Sequence, residues 1–122
     1  MKITSAESLV MEVLWRSGPS DAEEVTAALA DTQAWTETTV RTLLARLVEK
    51  KAVAKRKEGR RFLFSPLIER ADYAHAESRS LIDRLYEGRL SPLFAQFSER
   101  EQLSEDDIAE LKALIARIED GR

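Results

Sequence analysis

Residues 36–65 restrict the fold more than any other part of the chain. The first half of this stretch has apolar residues at i, i+3, i+4, i+7 and i+8, the spacing of one face of an α-helix. These residues are Val40, Leu43, Leu44, Leu47 and Val48. The second half starts at Val53 and reads as two short strands joined at Glu58-Gly59, where glycine can adopt the positive φ of a tight turn. The stretch therefore predicts a helix followed by a β-hairpin.

The face of this helix opposite the apolar stripe is small and polar, with arginines beside it. It carries Thr38, Thr42, Ala45 and Glu49, flanked by Arg41 and Arg46. From position 41 to position 61 there are nine Lys and Arg against two Glu, although the chain has a net charge of −3. Positive charge concentrated on one helix and the hairpin that follows it suits binding to a DNA duplex, because the phosphates contact only one face of the protein. The alternative is that these charges only solvate the exposed edges of a hairpin.

The composition excludes several classes of function. With 122 residues, 43% of them hydrophobic, the chain can form one domain or two very small ones. It has no Cys and only one His, His75, which excludes disulfides, cysteine nucleophiles and most zinc sites. No glycine pattern suggests a nucleotide site, and no apolar run suggests a signal peptide or a membrane span. We therefore predict a cytoplasmic protein that is not an enzyme and has no metal, cofactor or small-molecule substrate.

Two helices are predicted before the central stretch. Thr4 and Glu7 have the spacing of a capping box and predict a helix over residues 5–16. Ser20 and Glu23 repeat that spacing at the start of a second helix. The third helix is predicted from the N-cap Thr36 to about position 51. Three helices and a hairpin within residues 1–66 predict a winged helix-turn-helix domain.

The side chains predicted to meet DNA lie on the third helix and on the hairpin. Thr38 and Thr42 are short enough to reach base edges, and Ala45 suits a thymine methyl group. Arg41 and Arg46 could reach either phosphates or a guanine edge. Hairpin cations suit phosphates or the minor groove. The full predicted set is Thr36, Thr38, Thr39, Arg41, Thr42, Ala45, Arg46, Lys50, Lys55, Lys57, Arg60 and Arg61.

Trp35 has two interpretations, because it stands directly before the third helix. It could read bases, but a large aromatic at a helix start more often packs as a lid on a small core. We predict that Trp35 packs on the core.

For the whole domain, the alternative to DNA binding is a winged helix that binds another protein and no DNA.

Residues 67–122 form a different region, with thirteen acidic and eight basic residues. Helices are predicted over 69–86, over 90–97 and after Ser104, each with an apolar stripe. So small a unit buries little surface alone, and the simplest partner is a second copy of the chain. The alternative is a monomer in which these helices fold back on the first domain. The predicted dimer interface comprises Leu81, Leu85, Leu93, Phe94, Phe97, Ile108, Leu111, Ile115 and Ile118.

The chain also resembles the penicillinase repressors, the BlaI/MecI group, along nearly its whole length. The resemblance is carried by SAE at 5–7, by WTETTVRTLLARL at 35–47, and by LYEG at 85–88, FSERE at 97–101 and LSEDDIAEL at 103–111. It implies a homodimeric repressor on a palindromic operator. It also implies release through a membrane-embedded metallopeptidase that senses β-lactams, with cleavage between an Asn and a Phe. The matching bond here is Gln96-Phe97, where Gln replaces Asn.

Overall fold

The computed structural model describes residues 2–122, and these form six α-helices and one antiparallel β-hairpin, in agreement with the predicted fold class. The elements in chain order are α1 (Ser5–Ser17), α2 (Ala22–Leu29), α3 (Glu37–Glu49), β1 (Val53–Glu58), β2 (Arg61–Pro66), α4 (Arg70–Leu85), α5 (Leu90–Arg100) and α6 (Glu105–Asp120). The chain divides into two compact units, the first ending at His75 and the second spanning Ala76–Arg122. In residues 2–122, no helix combines the length and apolarity needed to cross a bilayer.

The start of α1 is the predicted capping box. Thr4 Oγ1 accepts a hydrogen bond from the Glu7 N–H at 3.1 Å, and Glu7 Oε1 accepts one from the Thr4 N–H at 2.9 Å. Two of the amides that a helix start leaves unpaired are thereby satisfied.

The capping signature predicted at Ser20 is displaced by one residue. Asp21 is the N-cap of α2 and exchanges the capping-box hydrogen bonds with Glu24, not Glu23. Ser20 is instead buried and pairs with Phe64 in an antiparallel bridge, with N···O distances of 3.1 and 2.8 Å. Because this pairing holds Ser20 in the sheet, the helix can begin only after the next residue.

The third helix has the predicted N-cap but is shorter than predicted. Thr36 Oγ1 accepts from the Thr39 N–H, and α3 ends at Glu49. Lys51 adopts a positive φ of 65°, and the Ala52 N–H donates to the Leu47 carbonyl at 2.9 Å, which turns the chain into β1. The hairpin, here called the wing, turns at Gly59, whose φ of 64° confirms the predicted turn.

The core of the first unit is built around the apolar stripe of α3. Val40, Leu44 and Leu47 are fully buried there, and Trp35 packs against the same core, which confirms the packing interpretation. Trp15 Nε1 donates to the Ile68 carbonyl at 2.9 Å, and its ring centroid lies 5.4 Å from that of Tyr73. These contacts bring the start of α4 into the first unit, whereas the composition placed the boundary between residues 66 and 67.

The second unit contains α5, α6 and most of α4. Ser104 caps α6 by accepting from the Asp107 N–H, as predicted, and α5 continues past the predicted end at Phe97 to Arg100. Among its described residues, the only buried hydrophobic side chain is Ile82. By itself this unit has almost no core.

Candidate nucleic-acid interface

Four side chains form an exposed surface on α3, opposite its buried stripe, which we call the outer face. They are Thr38, Thr42, Ala45 and Arg46. Thr42 Oγ1 donates to the Thr38 carbonyl at 3.1 Å. Since its proton is used within the helix, the Thr42 hydroxyl offers its oxygen as an acceptor. Arg46 forms no ion pair with any residue in 2–122, so its guanidinium is available to an external anion.

Threonines at the start of α3 are occupied by capping. Thr36 Oγ1 accepts from the Thr39 N–H at 3.2 Å and lies 3.3 Å from Thr39 Oγ1. Both hydroxyls are exposed, so either can still approach a phosphate at this helix end.

Two of the predicted cations are paired with carboxylates near the protein surface. Arg41 donates to Glu37 Oε2 from Nε at 2.8 Å and from Nη2 at 2.6 Å. Arg61 Nη1 reaches Asp21 Oδ2 at 3.2 Å and Glu24 Oε1 at 3.4 Å. The Arg41–Glu37 pair is exposed and contributes roughly 0–1 kcal/mol, so Arg41 can exchange its carboxylate for a phosphate at little cost. The Asp21 side chain is only 18% exposed, so Arg61 is held more firmly. The number of Lys and Arg in the sequence therefore overstates the positive charge that is available to bind phosphates.

Lys50 is held in a different way, by a buried carboxylate. Its Nζ donates to Glu7 Oε1 at 2.5 Å and to the Lys2 carbonyl at 2.8 Å. The Glu7 side chain has no exposed surface, while that of Lys50 is 31% exposed. A buried carboxylate that loses its cation keeps an uncompensated charge, so the Lys50–Glu7 pair is needed for the stability of the first unit.

The same contacts set the ionisation of Glu7. Burial by itself raises the pKa of this carboxyl, but hydrogen bonds from Lys50 Nζ and the Thr4 N–H outweigh burial. The pKa of Glu7 is therefore held below its ordinary value, and the group is a carboxylate at neutral pH. Its second oxygen, Oε2, is buried and has no hydrogen-bond partner among residues 2–122.

The pKa of Asp21, which contacts Arg61 of the wing, is also lowered. The hydrogen bond from the Glu24 N–H lowers the pKa of Asp21 most, burial acts against it, and Arg61 adds to the lowering.

In the wing, Lys55, Lys57 and Arg60 are exposed to solvent, and beside them lies an aromatic residue that the sequence reasoning missed. Phe62 is 41% exposed, and Lys55 Nζ lies 4.2 Å from the centroid of its ring. The two-residue period of a strand puts Phe62 on the same face as the buried Phe64. The two-residue spacing of Phe62 and Phe64, next to the basic tip of the hairpin, is the sequence signal that could have identified Phe62.

A groove of about 210 Å³ separates α3 from the wing, and we call it the α3–wing groove. It is lined by Arg41, Ala45, Val48, Lys55, Phe62 and Phe64. Three of these were predicted to contact DNA, and the structure brings them together with three apolar side chains.

A helix-turn-helix followed by a two-stranded wing, with an exposed basic face, defines a winged-helix DNA-binding protein. The chain belongs to the penicillinase repressor family, whose family model matches residues 3–117. This family consists of transcriptional repressors, so the chain is a regulator and not an enzyme.

Relatives match nearly the whole chain. The penicillinase repressor of Bacillus licheniformis is 37% identical over 114 residues, which cover 93% of this chain and 89% of that protein. The methicillin resistance regulatory protein MecI of Staphylococcus aureus strain N315 is 31% identical over 114 residues, covering 93% of each. The solution structure of monomeric Bacillus licheniformis BlaI in complex with the blaP half-operator superposes with a TM-score of 0.52 at 38% identity. That match covers 60% of this chain and 89% of the BlaI chain.

Proposed function

We propose that this chain is a cytoplasmic repressor that binds a palindromic operator as a homodimer and is released by proteolysis in response to β-lactams. The outer face of α3 is the observation that carries the DNA-binding part, because small polar side chains and a free arginine stand together in solvent. The similarity to BlaI, whose structure was solved with a half-operator, supports the same function.

Side-chain reach divides the roles within the interface. Thr38, Thr42 and Ala45 meet base edges in the major groove, because short side chains let the helix approach the bases closely. The cations reach the phosphates that border this groove. Lys50 acts indirectly, by holding the end of α3 against the buried Glu7.

The direct test is binding to duplex DNA from beside the coding sequence, measured by fluorescence anisotropy against a scrambled duplex. We expect the specific duplex to bind more tightly, with affinity falling steeply as salt rises. If folded protein binds neither duplex at low salt, the winged helix is a protein-interaction module instead.

Replacing Arg46 by Ala is expected to weaken operator binding about fivefold and to reduce the slope of log K against log[salt] by about 0.9, because one phosphate contact is lost. Both quantities come from anisotropy titrations at several salt concentrations. Arg89→Ala, which removes an exposed arginine of the second unit, is the control and should change neither. An unchanged slope for Arg46→Ala would remove this residue from the phosphate contacts.

The second unit supports the homodimer. Nearly all of its large apolar side chains are exposed or half-buried, although a folded unit of this size needs a core. Leu90 and Leu114, 52% and 44% exposed, extend the predicted interface set. A two-fold copy is the simplest surface that buries the same stripes on both chains.

The proposed cleavage site lies inside a helix. Gln96 and Phe97 are within α5, and the Tyr86 hydroxyl lies 3.4 Å from Gln96 Oε1. A protease acts on locally opened chain, so cleavage requires this part of α5 to unfold.

After β-lactam challenge of cells that carry the sensor peptidase, we expect two fragments, one ending at Gln96 and one starting at Phe97. Intact-mass spectrometry of the repressor measures both. Cells without the sensor are the control and should contain only the full-length chain. Full-length protein with derepressed target genes would show that release does not use this bond.

A further inference from the structure

We propose that the α3–wing groove seats one sugar–phosphate strand of the duplex, with Phe62 as an apolar contact to the deoxyribose. This inference rests on the proposed DNA binding and adds a contact of a different physical kind. The contacts proposed above are polar or ionic, apart from Ala45. Phe62 contributes by removing apolar surface from water.

The exposure of Phe62 is selective. Leu63 and Phe64, its neighbours in β2, are 7% and 6% exposed, whereas Phe62 is 41% exposed. Leu63 and Phe64 are therefore buried, whereas the ring of Phe62, which is nearest the turn, stays exposed to solvent. A large aromatic left in solvent between basic side chains is typical of a binding surface.

The charges at the groove select the partner. Arg41 and Lys55 line it, and none of the lining residues is acidic. Lys55 Nζ, 4.2 Å from the Phe62 ring centroid, places a cation directly beside the apolar surface. A deoxyribose with its phosphate presents the complement, an apolar C–H face next to an anion. An apolar peptide would instead desolvate Lys55 without supplying an anion to pair with it.

The position of the groove also fits a strand that borders the major groove. Arg41 and Val48 lie on the flank of α3 between its buried stripe and the outer face, and Ala45 is at the adjoining edge of the outer face. When the outer face enters the major groove, the adjoining backbone must pass along one flank of the helix. The α3–wing groove is open on that flank.

Salt dependence distinguishes this contact from a phosphate contact. Burying Phe62 releases no counterions, so its loss should lower affinity at every salt concentration by the same factor. For the full chain on its operator, we expect Phe62→Ala to weaken binding about tenfold with an unchanged salt slope.

Two variants serve as matched controls in the same titrations. Lys57→Ala, at the position that pairs with Phe62 across the hairpin, should reduce the slope by about 0.9. Leu67→Ala removes a 58% exposed apolar side chain just after β2 and should leave affinity and slope unchanged. Thermal melts establish that each variant is folded. If Phe62→Ala does not fold, Phe62→Leu keeps part of the apolar surface and should weaken binding about threefold.

Several outcomes would overturn the proposal. If the unaltered protein binds its operator and a folded Phe62 variant binds equally well, the groove does not contact DNA, while the proposed function stands. A Phe62 variant with a lower salt slope would show that the ring acts only by orienting Lys55. If a Phe62 variant changes the sedimentation coefficient but not the affinity for the operator, the groove contacts a second copy of the chain instead of DNA. If the unaltered protein binds no DNA, the proposed function fails as well.

Discussion

Replacing Phe94 by Asp is expected to make the chain monomeric and to lower its affinity for the full palindromic operator by about 100-fold or more, because bivalent binding is lost. Phe94 is 45% exposed and lines a surface groove of the second unit with Phe97, Leu111 and Leu114. A carboxylate at this position would have to lose its water in the proposed interface without a cation to pair with.

Sedimentation equilibrium measures the oligomeric state, and anisotropy compares a full operator with a half-site. The half-site affinity should not change, because α3 and the wing are untouched. Ala95→Asp is the control, since it adds the same charge to an exposed position about 100° around the helix from Phe94. If Phe94→Asp remains dimeric with full operator affinity, the apolar stripes of the second unit are not the dimer interface.

Replacing Lys50 by Met is expected to lower the free energy of unfolding of the first unit by about 2–3 kcal/mol, because Glu7 would keep a buried charge without a counterion. Lys50 is partly exposed, so the loss should lie at the lower end for a buried pair. Arg41→Met is the matched control, since Arg41 lies in α3 and Lys50 is the residue that follows this helix. Its ion pair with Glu37 is exposed, and we expect a change within about 0.5 kcal/mol. Urea unfolding followed by tryptophan fluorescence reports this unit, since Trp15 and Trp35 both lie in it.

The pH dependence gives a second measurement on the same variant. Because the pKa of Glu7 is lowered in the folded protein, its contribution to stability is present above the ordinary value of 4.5. That contribution is lost as the pH falls through the lower folded value. In Lys50→Met, burial is no longer opposed by the lysine, so the folded pKa rises and protonation relieves the cost. The difference in stability between the two proteins should therefore narrow from pH 7 to pH 4. A difference that stays constant over this range would mean that the charge of Glu7 is not responsible.

Local signals in the sequence predicted most of the elements. The pairs Thr4 with Glu7 and Thr36 with Thr39 involve residues three apart, so the helix starts could be read directly. The positive φ at Gly59 is likewise a property of one residue and its neighbours. The helix ends were less accurate, because they depend on where the next element packs. The turn through Lys51 into β1 is an example.

The sequence by itself determined the order of the helices, the hairpin, the polar outer face of α3 and the apolar stripes of the second unit. These follow from periodicity and capping, which act over three or four residues. The tertiary structure decided which cations are free for DNA. Lys50 meets Glu7 across 43 residues and Arg61 meets Asp21 across 40, and Ser20 is taken from its helix by Phe64. Such pairs form only when packing brings distant segments together, so no local pattern could reveal that Lys50 and Arg61 are paired with carboxylates of the first two helices.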